Sequence, residues 1–325
     1  MAVCLSAESW LSIIEKEYLQ RFIKEGGAAV KCVVPIDNDA CLEIKPGLQQ
    51  HSEKEGFIFA AIDAAAVKIH MVEQVFYQLA GLVDWDETVL SFLHRLLQNH
   101  YKLPENTGKF DLKQIALLNG YEEREMRHVI NNRLRDSLFR DYAMSQEFRV
   151  AMIMLCRHQL DPDEVSKTLC DSIKEWLKGE LKLLSALKQS LIFQKIGRHN
   201  ARNMLLSLVH WLKLSGKSGM VLLLDISRYT VDKPRETDGS LYYSINAVID
   251  CYEVLRQFID GTDESEYFFL TILAQGRFLD EGDRRSVHAY DALKLRIWDE
   301  VHDKTYVNPL APMIRLSCCQ IAGTT

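Results

Sequence analysis

The 325-residue chain is 47% hydrophobic and 26% charged, with a formal net charge of -6 and a pI near 6.0. That balance excludes extensive disorder and a surface basic enough to coat nucleic acid throughout, while leaving room for a local basic patch. No run approaches the roughly 20 apolar residues needed to cross a bilayer, and the opening MAVCLSAESW lacks the basic segment and apolar run of a secretory leader. The eight cysteines are scattered with no C-x-x-C pair, which fits a reduced cytoplasmic protein with buried thiols better than a disulfide scaffold or zinc site.

Taken in order, residues 8 to 25 carry Trp10, Ile13, Ile14, Tyr18, Phe22 and Ile23 at helical spacing, stopped by Gly26 and Gly27. Ala29 to Val34 reads as a short buried strand. A phosphate-binding loop after such a strand needs the pattern G-x-x-x-x-G-K-[ST], whose backbone N–H groups cradle phosphates. The sequence here is PIDNDACL: Pro35 and Ala40 fall at the glycine positions, Cys41 at the lysine and Leu42 at the Ser/Thr. Asp37 and Asp39 would meet a triphosphate with like charge. An ordinary polar turn is the alternative reading of the same residues.

Phe57 to Asp63 reads as a second strand, after which the chain turns helical for about 150 residues. Helical spacing covers Val67–Leu82, Glu87–His100, Asp111–Leu118, Glu122–Tyr142, Ser145–Arg157 and Pro162–Leu191. The run Asp161-Pro162-Asp163-Glu164 has the form of an N-cap, a proline at the first position and acids in the first turn. Asn200–Leu214 is one more amphipathic helix. The Gly216-Lys217-Ser218 that follows ends a helix and opens a strand, the reverse of a phosphate loop, and reads as a structural turn.

Met220 to Leu224 is a continuous apolar run closing on Asp225, as in a buried parallel strand with an acid at its carboxyl end. An aspartate there is where a Walker B motif holds magnesium, but the next residue, where many such ATPases place a water-orienting glutamate, is Ile226. VDKPRETDGS then reads as a long mobile loop, Tyr242–Ile259 as a helix, Tyr267–Ala274 as a strand, Gly276–Arg285 as a charged loop, a helix around Tyr290 to Arg296, and Pro309–Leu316 as the last strand. Four or five strands separated by helices indicate a doubly wound α/β core. The expected division is residues 1–66 and 200–325 as two parts of that core, with 67–199 as a helical insertion.

The segments ARNMLLSLVHWLKLSGKSGMVLLLDISRY, YFFLTILAQGRFLDEGDRRSVHAYDALKLRIWDE and NPLAPMIRL resemble the P-loop ATP-binding proteins of BREX-type bacterial anti-phage systems, most specifically in the run R-R-S-x-x-x-Y-x-A-L-x-x-R. The resemblance implies an α/β, P-loop NTPase-like (AAA/ASCE-type) parallel sheet with a large all-α insertion, and a setting in phage defence or DNA modification. In that family the Walker A loop is intact and the Walker B aspartate precedes a glutamate. This sequence departs from it at both places.

The expectation is therefore a pseudo-ATPase: a scaffold or regulatory subunit binding neither ATP nor magnesium. Its partners would be other proteins of a defence complex, such as an active ATPase, a helicase or a modification enzyme, with DNA also possible and no membrane. The degenerate site comprises Pro35, Ala40, Cys41, Leu42, Asp225 and Ile226. Arg277, Arg284, Arg285 and Arg296 are candidates for arginine fingers or partner contacts. Lys195, Arg198 and Arg202, placed with His199 on one helix turn, are candidates for phosphate contact. The competing readings are an active ATPase whose site a partner completes, and a DNA-binding adaptor. Histidine spacing offers no H-E-x-x-H or H-x-x-x-H, and no nucleophile-elbow context appears.

Overall fold

A computed structural model describes residues 5–104, 110–232, 239, 241–298 and 307–317. The chain divides into two compact units, one formed by residues 1–75 and 218–325 and the other by residues 76–217.

The first unit is built on six parallel strands: β1 (Leu5–Ser6), β2 (Ala28–Pro35), β3 (Ile58–Asp63), β4 (Met220–Asp225), β5 (Phe268–Leu273) and β6 (Met313–Ser317), in the spatial order β1-β6-β2-β5-β4-β3. Burial explains the apolar runs. Met220 to Leu224 of β4 and all of β5 are nearly inaccessible, as strands covered on both faces must be. On one face Val33, Val221, Leu223 and Phe269 pack with Trp10 of α1 (Ala7–Ile13), with Ile14 and Leu19 of the π-helical turn that continues it, and with Ile44 and Leu48 of α2 (Asn38–Lys54). By the two-residue alternation of a strand, Leu222, Leu224, Leu270 and Ile272 face the other way.

One strand, β5, separates β2 from β4, so the strand leading into α2 lies inside the sheet and the acid-terminated strand lies next but one to it. This is the P-loop NTPase-like, AAA/ASCE-type parallel sheet. The sixth strand, β1, has two residues, too few for any periodicity to show.

The second unit is helical. It holds most of α3 (Val72–Leu82), then α4 (Trp85–Leu97), α5 (Leu112–Asn119), α6 (Glu123–Leu134), α7 (Gln146–Leu160), α8 (Lys167–Leu177) and α9 (Ala201–Leu214). In the first unit α10 (Ile245–Asp260) and α11 (Asp291–Ile297) complete the chain. Among the described residues no helix is long and apolar enough to cross a membrane.

Several expected boundaries are corrected. The helix expected over 162–191 is only α8. Asp161 is the C-cap of α7 rather than an N-cap; Ser166 caps α8 by accepting the Leu169 N–H at 3.3 Å, and the helix ends before Gly179 at φ 74. A helix starting at Val67 is pre-empted by the turn after β3, where the Asp63 carboxylate accepts the Ala65 N–H at 2.7 Å and the Asp63 carbonyl accepts that of Val67 at 3.0 Å. The helix expected over 122–142 widens into a π-helical stretch at Arg135–Phe139 and stops. Lys195 and Arg198 do not share a helix turn with Arg202. Residues 192–197 are non-helical and α9 begins at Ala201, where the Gly197 N–H donates to the Asn200 side chain at 2.8 Å. Most of the loop expected after Val231 lies outside the described residues, as do Cys4, Cys318 and Cys319.

Candidate functional site

Parallel strands end at one edge, and in a doubly wound sheet that carboxyl edge is where ligands bind. The register puts Asp63 opposite Asp225 on the adjoining strands β3 and β4, and Asp225 opposite Leu273. Two carboxylates thus sit side by side at the edge. Burial raises the Asp225 carboxyl above its ordinary range, and the negative charge of Asp63 adds to this. Hydrogen bonds from Ser227, one of them the backbone N–H at 2.9 Å, and the positive charge of Lys45 oppose it.

The helix α2 supplies the facing groups. Cys41 lies close enough for the Asp225 carboxylate to add to the effect of burial in raising its thiol. Lys45 is one helical turn further on the same face. Sequence reasoning placed Cys41 where a phosphate-binding lysine belongs and overlooked Lys45, whose i+4 spacing from Cys41 was the available signal. Asp63 was likewise read only as a strand end, because its pairing with Asp225 depends on sheet register.

The turn from β2 into α2 is short. Only Ile36 and Asp37 separate Pro35 from the first helical residue, Asn38. Pro35 has no N–H. Ile36 donates to the Leu316 carbonyl of β6 at 2.8 Å, and the Asp37 side chain accepts the Ala40 N–H at 2.7 Å. A carboxylate therefore takes the position at the helix N-terminus that a phosphate would occupy. Ala40 is fully buried and Leu42 is exposed. This turn does not fit a triphosphate held in the usual cradle, whereas the Asp63 and Asp225 pair fits a divalent cation. Among the described residues no three His, Cys, Asp or Glu side chains gather as metal ligands.

Behind the edge, Ile226 is fully buried, and its N–H donates to the Leu273 carbonyl at 2.8 Å. Tyr229 stacks on Tyr243 with ring centroids 3.9 Å apart. The Tyr243 hydroxyl donates to the carbonyls of Ala64 at 2.5 Å and Val67 at 3.0 Å, while the Tyr229 hydroxyl accepts the His70 N–H at 3.0 Å. These buried rings brace the turn that carries Asp63, a role that sequence pattern does not reveal.

Three of the four candidate arginines are engaged within the chain. Arg277 pairs with Asp283 at 2.6 Å and with Asp232. Arg285 is buried, donating to the Tyr229 carbonyl at 3.1 Å and the Tyr242 hydroxyl at 2.9 Å. Arg296 pairs with Asp260 and donates to the Ala292 carbonyl at 2.6 Å. Arg284 is exposed. In the helical unit Lys195 and Arg198 precede α9, and Arg202 lies in its first turn.

The sequence profile of the family described as "BREX system ATP-binding protein BrxC/D" matches residues 113–321, more than half of the chain. The match takes in β4, β5 and all of β6 and begins beyond the turn capped by Asp37. No curated protein and no solved structure matches the chain. The family's description as ATP-binding overturns the expectation that ATP and magnesium are not bound. That expectation rested on the loop at residues 35–42 and on Ile226, whereas the matched segment also carries Asp225 and its buried strand.

Proposed function

We propose that this chain, which belongs to the BREX system ATP-binding protein family BrxC/D, is a non-catalytic scaffold or regulatory subunit of its anti-phage system. The observation that carries this reading is Ile226. The position after the strand-end aspartate is an aliphatic side chain sealed in the core, with no group to orient or deprotonate an attacking water. Lys45, Asp63 and Asp225 are the charged groups that the chain offers to a nucleotide and its cation. A regulatory subunit senses nucleotide by occupancy and needs no turnover. Family membership supports partners among the other proteins of the same defence system.

The test separates binding from hydrolysis on the purified chain. The expected outcome is ATP retention in equilibrium dialysis with magnesium and no phosphate release above background. Steady turnover that Asp225→Asn abolishes would overturn the reading. A second reading, a site completed by a partner, is favoured by the exposure of Arg284 beside three engaged arginines. It requires Arg284→Ala to slow ATP hydrolysis in the reconstituted complex.

A further inference from the structure

The helical unit contains a groove that plays no part in the sheet-edge site. It is a cavity of about 370 Å³ bordered by the end of α6, with Asn131, Asn132 and Leu134, by the π-helical stretch Arg135–Phe139, by one face of α7 and by Leu191. Val150, Ile153 and Met154 form an apolar wall, and among the described residues the charged ones lining it are Arg135 and Arg157.

Its rim is held in costly conformations. Leu191 has a left-handed backbone at φ 58, uncommon for a residue with a branched side chain, and that side chain is 66% exposed. The buried neighbours Leu187 and Ile192 fix the chain on either side. Phe139 is also half exposed, and it is braced: its carbonyl accepts the Arg149 guanidinium at 2.6 Å, and that guanidinium lies 6.0 Å from its ring. The π-helical turn beneath them is itself a geometry found disproportionately at functional positions.

The charges point the same way. Arg157 has only a 4.0 Å contact with Glu164, and among the described residues its Nε is buried without a hydrogen-bond partner. Arg135 lies 3.8 Å from Asp136, a carboxylate that Arg140 approaches more closely at 3.1 Å. Positive charge thus exceeds negative around an apolar slot large enough for one or two bulky side chains.

We propose that this groove docks a segment of a partner protein in which a bulky apolar side chain is flanked by carboxylates. The apolar side chain enters between Phe139 and Leu191, and the carboxylates pair with Arg135 and Arg157. The proposal rests on the reading of this chain as a docking subunit and names the chemistry of what docks. The probes are two fluorescein-labelled peptides, EDLFEEL and KKLFKKL, titrated with the full chain at about 0.15 M salt and followed by anisotropy. The acidic peptide is expected to bind at least about tenfold more tightly than the basic one. R135E/R157E is expected to erase that preference. Leu191→Gly, which suits the left-handed backbone and preserves the fold, is expected to weaken the acidic peptide severalfold.

Equal binding of the two peptides, or acidic-peptide binding unchanged in the charge-reversed variant, would overturn the proposal. So would duplex DNA binding through these arginines while the acidic peptide does not bind. Failure here leaves the non-catalytic reading standing, and ATP turnover by the chain removes that reading while leaving the groove in place.

Discussion

Asp225 and Lys31 are charged groups set into the sheet, and burial acts on them in opposite directions. It pushes the Asp225 carboxyl up and pulls the Lys31 ammonium down to about 8. Lys31, on β2, is nearly inaccessible. Its ammonium donates to the carbonyls of Leu310 and Ala311 and lies 5.0 Å from the Tyr18 ring centroid, with no carboxylate among these partners. Between pH about 8 and 10.5 the unfolded chain holds a proton that the folded chain has released, so stability climbs as pH rises through that window. The gap corresponds to about 3 kcal/mol, present above the window and absent below it. Lys31→Met is expected to remove the climb, which urea unfolding at a series of pH values measures. A slope as steep as that of the parent chain would assign the titration to another group.

At the scale of elements, the entry to β4 depends on one backbone conformation. Gly219 sits at φ 138, and a Cβ there would lie 2.1 Å from the Tyr267 carbonyl oxygen, closer than atoms can approach. Gly219→Ala must displace β4 from β5 and is expected to cost at least about 3 kcal/mol, read as a lowered midpoint in thermal unfolding. β4 and β5 were legible in the sequence because strands buried on both faces are unbroken apolar runs. The turn carrying Gly216-Lys217-Ser218 was legible from the order helix, turn, strand. Asp161-Pro162-Asp163-Glu164 misled because a cap motif is local chemistry: the residues after it went into a turn, and Ser166 became the cap. The site was half legible. Asp225 and Ile226 stand out in the sequence. Asp63 and Lys45 join them only through strand register and helix placement, which depend on residues far along the chain.

The whole molecule follows from which strands are neighbours. Every partner of β2 and β3 comes from beyond the helical unit: β2 lies between β5 and β6, and β3 pairs with β4. The first 75 residues therefore contain three strands of the sheet with no described pairing among themselves, and although Trp10, Ile44 and Leu48 pack on Val33 within that stretch, the strands' hydrogen-bonding edges have no partner until residues 218–317 are present. Residues 76–217, by contrast, form one continuous stretch whose helices bury Phe92, Phe148, Trp176 and Trp211 within the same unit. A fragment spanning 76–217 is expected to fold alone, with helical circular dichroism and a cooperative thermal transition. A fragment spanning 1–75 is expected to lack cooperative unfolding, because unpaired strands leave their backbone groups to water. Mixing the 1–75 fragment with residues 218–325 should restore a cooperative transition, since that addition supplies every missing strand. A cooperative transition in residues 1–75 alone would show that the core of the first unit does not require the strands that complete its sheet.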